Sequence, residues 1–107
     1  MKYYKILNEL GIAKNLNGYE YLRQALEIAD KFGFGWRVTR DIYPAVGEIM
    51  NVERSQVERC IRHAAHKASM ESETFKSMFP GKVTNSLLIA TILNEIKLRE
   101  MEYAQKN

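Results

Sequence analysis

Apolar residues in this chain recur at intervals of three and four from one end to the other, and nowhere does a two-residue hairpin turn join alternating segments. That period is the signature of amphipathic helices, so the expected fold is all-α. Tyr3, Ile6, Leu7 and Leu10 share one face of a first helix, and Gly11 suits the left-handed residue after its end. A second helix starts at Asn17, where Asn17 and Glu20 have the spacing of a capping box and Leu16 and Tyr21 that of a staple. Its stripe of Leu22, Ala25, Leu26 and Ala29 runs on to Phe32. Gly33–Trp36 is a loop whose two large aromatics, Phe34 and Trp36, are expected to seal a small core rather than stack on a ligand. Helical spacing from Thr39 to Met50 contains Pro44, which either starts the helix near Tyr43 or bends it. A short fifth helix over Glu71–Phe79 ends at Pro80-Gly81. The last is opened by Thr84 or Asn85, turns Leu88, Ile89, Ile92, Leu93 and Ile96 inward, and is expected to fray over its polar end, 99–107. Six helices in 107 residues leave room for one core, so residues 1–107 are read as a single compact domain.

The segment from Tyr43 to Ala68 carries the functional signal. Two helices that cross closely need a small residue in the first, a turn residue that accepts positive φ, and apolar residues at set offsets. Gly47, Asn51 and the set Val46, Met50, Val52, Val57 and Cys60 meet those requirements. The pattern predicts a helix-turn-helix, with its first helix at about 43–50 and its recognition helix at about 54–68. At about 100° per residue, Val57, Cys60, Ile61, Ala64 and Ala68 gather on one side of the recognition helix. The other side carries Ser55, Arg59, Arg62 and His66, flanked by Gln56, Glu58 and His63. Arg pairs with guanine, Gln with adenine and Glu with cytosine, so this is a face able to read base edges in a major groove. The competing reading is a merely solvated face, which more often carries Lys and Glu at four-residue spacing.

Charge and cysteine content limit the remaining classes. Sixteen Lys and Arg against thirteen Asp and Glu give a formal charge of +3, which permits a polyanionic partner without requiring one. A single Cys excludes an intramolecular disulfide. There is no signal-like run and no apolar stretch long enough to span a membrane, so the expectation is a cytoplasmic protein with no membrane partner. Cys60, His63 and His66 lie three apart on one helix but point in different directions, and no other Cys completes a zinc set. Neither a phosphate-binding Gly-rich loop nor a paired-carboxylate site is present. No catalytic residue, metal or cofactor is therefore expected, and the chain is read as a non-enzyme.

Several motifs together resemble a known family. Gly18-Tyr19-Glu20-Tyr21-Leu22-Arg23-Gln24-Ala25 is similar to the G-Y-x-Y-L-R-x-A signature of the C-terminal DNA-binding effector domain of the stage-zero sporulation response regulators of endospore-forming Firmicutes. Thr39–Pro44 resembles that family's T-K-x-L-Y-P stretch, Ser55–Ala64 its recognition run S-R-V-E-R-A-I-R-H-A, and Thr84-Asn85-Ser86 its P-T-N-S. The resemblance implies a six-helix domain that inserts its fourth helix into the major groove and regulates transcription in sporulation control. It implies a domain that is monomeric off DNA, pairs on tandem sites, and contacts a polymerase sigma factor or a related regulator. Position by position, it implies that Ser55, Glu58, Arg59, Arg62 and His63 lie at the DNA interface and that Lys82 and Asn85 approach the phosphate backbone, with Arg40 a weaker backbone candidate. The reading is then base contact by Gln56, Glu58, Arg59 and Arg62, and backbone contact or positioning by Ser55, His63, Lys82, Asn85 and Arg40.

The departures from that pattern carry expectations too. Gln56 stands where the family usually has Arg, exchanging a guanine reader for one suited to adenine. Glu53 replaces a Thr-type cap, and the Phe79–Thr84 loop is shorter than the family's, which weakens the expectation of sigma-factor contact. The family's receiver domain does not precede the effector in this sequence, so the expectation is a stand-alone effector without phosphorylation control. The alternative function is a protein-interaction module that antagonises or pairs with a full-length regulator.

Overall fold

The computed structural model describes residues 2–106. Six α-helices follow one another: α1 (Lys2–Glu9), α2 (Asn17–Phe32), α3 (Tyr43–Met50), α4 (Arg54–Glu71), α5 (Glu73–Met78) and α6 (Asn85–Lys106). No strand occurs among the described residues. The expected all-α, six-helix architecture is what the chain adopts. The inward stripes read from the period form one core, with Leu22, Ala25 and Leu26 of α2 and Val57, Ile61 and Ala64 of α4 buried against Ile6, Leu7, Phe75 and Ile92.

At Gly18 the start of α2 crosses α4 in backbone contact. A Cβ placed on Gly18 would lie 2.2 Å from the carbonyl oxygen of Cys60 and 2.8 Å from Cβ of Ala64. Only a residue without a side chain lets the start of α2 touch the backbone of α4 at this point. The helix-turn-helix closes by the same means: a Cβ on Gly47 would lie 2.7 Å from the Val52 carbonyl oxygen. Asn51 sits in the left-handed region (φ 58°, ψ 49°), and the carbonyl of Gly47 accepts hydrogen bonds from the N–H groups of both Asn51 and Val52. The predicted small residue and turn residue therefore act as expected, with Val46 and Val57 buried and Met50, Val52 and Cys60 packed at the core's edge.

Some local expectations are corrected. Leu16, not Asn17, holds the N-cap position of α2 and makes no side-chain cap. Glu20 turns instead to Arg23 and to the Tyr4 hydroxyl, a charge-assisted cluster that outcompetes a local cap. The helical pattern before Pro44 resolves into a π-helical turn, Val38–Ile42, followed by α3 with the proline in its first turn, where its missing N–H costs nothing. Phe34 does not seal a core: it is 99% exposed, and only Trp36 packs against the apolar interior. The fifth helix is shorter than expected and is capped by Ser72, whose Oγ accepts from the Phe75 N–H. Thr84 rather than Asn85 caps α6, its Oγ1 accepting from the Leu87 N–H at 3.1 Å. The C-terminal end is helical to Lys106 instead of frayed, because Arg99 is held by Glu95 and Glu9, and Glu100 by Lys2.

Two expected outcomes follow from these contacts. Gly18→Ala should destabilise the fold by about 1–3 kcal/mol, since the added methyl meets backbone that cannot step aside; chemical denaturation measures it. Tyr3 donates to Asp30 at 2.6 Å, and burial together with that carboxylate raises the phenol above its ordinary pKa of 10.0, while the Tyr3 hydroxyl lowers Asp30. The raised phenol stabilises the fold below pH 10 and loses that contribution as pH rises; the lowered carboxyl stabilises it above the ordinary Asp value and loses it as pH falls. Tyr3→Phe should flatten both arms of the stability profile, measured as denaturation midpoint against pH.

Candidate nucleic-acid interface

The outward face of α4 is exposed as the wheel predicted: Ser55, Arg59, Arg62, His63 and His66 are open to solvent, and Gln56 and Glu58 are half-buried at its flanks. A cleft of about 860 Å³ runs beside this face. Its floor is Arg59, Cys60, Arg62, His63 and His66; Leu16–Gly18 at the start of α2 form one wall, and Gly81–Val83 with Asn85 form another. The fold thus brings Arg59, Arg62, His63 and Lys82 to one concave surface. Ser55, Gln56 and Glu58 lie outside the cleft lining, and Arg40 sits on the π-helical turn, paired with Asp41 at 2.9 Å.

Three cations of this surface are not equivalent. Arg62 donates through Nε to Glu58 at 2.8 Å, one turn earlier on the same helix, and that hydrogen bond raises the guanidinium's pKa further. Arg59 and Lys82 make no ion pair with another described residue and present their charge to the cleft. The recognition helix begins at Glu53 in extended conformation (φ −69°, ψ 147°) with no side-chain cap, in keeping with the loss of a Thr-type cap. Its first-turn N–H groups are therefore not taken by the Glu53 carboxylate.

Asn85 lines the cleft, but its side chain is only 9% exposed and its amide is engaged within the fold. Its amide nitrogen donates to the Tyr43 hydroxyl at 3.0 Å and to the Glu58 carbonyl at 3.0 Å, tying α6 to α3 and to the second turn of α4. Tyr43 is buried with it, and burial pushes the phenol's pKa up. Tyr43 and Gly18 belong to the site or its support and were not assigned to it from sequence, and His66, placed on the outward face by the wheel, lines the cleft as well. His66 was legible as the residue one turn beyond Arg62 and His63. The role of Gly18 was not, since nothing in the linear pattern says which backbone it will touch. Among the described residues, no group of three or more His, Cys, Asp or Glu side chains comes together that could hold a metal ion. No helix among them is long and apolar enough to cross a membrane.

Compared with known families, the chain matches the model described as sporulation initiation factor Spo0A C terminal over residues 3–96. The match takes in α1 from its second residue, α2 to α5, the whole of the cleft and the buried part of α6.

The inward turn of Asn85 has a measurable consequence. Asn85→Ala leaves the Tyr43 hydroxyl without its donor and should lower stability by about 1–3 kcal/mol. A solvent-facing phosphate ligand in that position would leave the thermal midpoint unchanged on the same substitution.

Proposed function

This chain belongs to the family of the Spo0A C-terminal domain, a family of DNA-binding effectors in transcription regulation, and from that membership and the cleft's geometry we propose that it binds double-stranded DNA sequence-specifically through α4 in the major groove. The observation that carries this reading is the convergence of Arg59, Arg62 and Lys82 on one exposed concave surface, two of them without an ion-pair partner among the described residues. A solvated helix needs no second element contributing a cation to the same cleft. Arg59 and Arg62 read base edges, Arg62 after leaving Glu58, while Gln56 and Glu58 tune the neighbouring pairs. Ser55, His63 and Lys82 hold the phosphates, with Arg40 a peripheral backbone contact. Asn85 supports this face from behind rather than touching DNA.

Regulation of transcription follows from occupancy of such a site. Contact with a polymerase sigma factor through the segment from α5 to Thr84 is a finer part of the proposal, and it depends on a loop that the sequence shows to be short.

Fluorescence anisotropy on a selected duplex and a scrambled one, each at several salt concentrations, tests the assignment. Arg59→Ala should cost about 1–3 kcal/mol on the selected duplex and little on the scrambled one. Lys82→Ala should weaken both alike and reduce the salt slope by about one. Equal losses on the two duplexes for Arg59→Ala would sink base readout by that residue. In a selection from random duplexes, Gln56→Arg should move the preference at one position from adenine to guanine.

A further inference from the structure

His66 stands on the outward face of α4 with no role in the fold or in the proposed reading of bases. It is exposed, it lines the cleft together with Arg59, Arg62, His63 and Lys82, and its ring has no hydrogen-bond or ion-pair partner among the described residues. At about 100° and about 1.5 Å per residue, it falls between Arg59 and Arg62 around the helix and about 10 Å beyond Arg59 along it. Ser69, one turn further on, donates its hydroxyl to the His66 carbonyl at 2.6 Å and leaves the ring alone. The charge that faces the ring has one sign. From α2 the cleft receives Leu16, Asn17 and Gly18, which carry no charge; from the segment before α6 it receives Lys82, and from α4 itself Arg59, Arg62 and His63. No Asp or Glu lines it among the described residues. The positions three and four residues away on either side are Arg62, His63, Ser69 and Met70, so no carboxylate reaches the ring along the helix. The nearest acids are engaged elsewhere: Glu58 on Arg62, Glu71 on Lys67 and Glu20 on Arg23.

We propose that His66 contacts a DNA phosphate as an imidazolium, beside Lys82, so that the domain takes up a proton when it closes on the duplex. The inference rests on the DNA-binding reading given above. In a helix-turn-helix complex the first residues of the recognition helix meet base edges, and residues further along it reach the backbone that borders the groove. Lys82 comes to the same cleft from a different element, so a phosphate lying between the two has a donor on each side. Imidazole is the side chain whose ordinary titration falls between pH 5 and 8. An opposite charge at contact distance favours its protonated form, in which both ring nitrogens donate. The proton comes from solvent and no other bond changes. Lys82 supplies a fixed charge and His66 a conditional one, so affinity is greatest where the ring is protonated and falls as pH rises through neutrality.

Fluorescence anisotropy at fixed ionic strength, at about pH 6 and about pH 8, tests this on the selected duplex and on the scrambled one. His66 should account for about a fivefold rise in dissociation constant between the lower and the higher pH, as a change of about one unit in the affinity of a single proton gives. His66→Gln should bind about fivefold more weakly than the unsubstituted chain at the lower pH and nearly as well at the higher, any slope that is left belonging to His63. His66→Lys, whose charge is fixed, should hold the tighter affinity at the higher pH. Circular dichroism should find all three equally helical, since the position is exposed. Calorimetry near neutral pH, in two buffers of different ionisation enthalpy, should count about half a proton fewer taken up by His66→Gln. Because the contact is to phosphate, these changes should be the same on both duplexes. A pH profile that His66→Gln leaves unchanged overturns the proposal. So does a His66→Lys chain no tighter at the higher pH than His66→Gln, since a ring that only supports the helix gains nothing from a fixed charge. The two readings fail separately: sequence-specific binding without the His66 profile removes this contact alone, and the same profile on two duplexes bound equally well removes base readout alone. A chain that binds neither duplex at either pH overturns both.

Discussion

The architecture depends on one contact, the approach of Gly18 to the backbone of α4 at Cys60. The start of α2 reaches that depth only because it has no side chain there, and the consequences spread in two directions. Inward, the approach brings the stripe from Leu22 to Ala29 into register with Val57, Ile61 and Ala64, which form the middle of the core. Outward, it sets Leu16, Asn17 and Gly18 as a wall beside Arg59, His63 and His66, so the cleft and the core are two sides of the same helix crossing. A change that separates these helices opens both together.

Behind the exposed face lies a second layer of control over geometry. The Glu58 carbonyl and the Tyr43 hydroxyl both accept from Asn85, so the N-terminal part of the recognition helix is referenced to α3 and to the first turn of α6 at once. Buried and fully partnered polar groups of this kind hold a unique arrangement, since sliding any of the three helices would strand a donor in an apolar interior. The helix-turn-helix is thus braced at its turn by Gly47 and Asn51 and near the start of its second helix by Asn85. The side chains that face outward from α4 inherit their placement from these inward contacts.

Much of this was legible from residue order. The apolar period sets inward stripes that depend on spacing alone, and Gly47 and Asn51 satisfy steric demands that few other residues can meet, so the stripes and the turn read correctly. The recognition run and the Gly18–Ala25 signature placed the family. What escaped was each choice between two partners of similar local merit. Asn17 and Glu20 have capping-box spacing, but Arg23 and Tyr4, brought close by packing, take the carboxylate. Thr84 and Asn85 can both cap a helix; Thr84 does so and frees Asn85 to turn inward, toward groups 27 and 42 residues away that no local pattern connects to it. The order of the C-terminal turns depends likewise on Glu9, 90 residues from Arg99. Phe34 was misjudged because its size suggested burial, whereas its loop points it into solvent.

The Glu58–Arg62 pair bears on how such a domain would travel along a duplex before it stops. While the pair is closed, the acidic partner cancels part of the positive field that would hold the domain to any stretch of phosphate backbone. If Arg62 reads a base as proposed, it would exchange this weak, exposed ion pair for a base edge at little cost, and the residence time on DNA would then reflect recognition more than net charge.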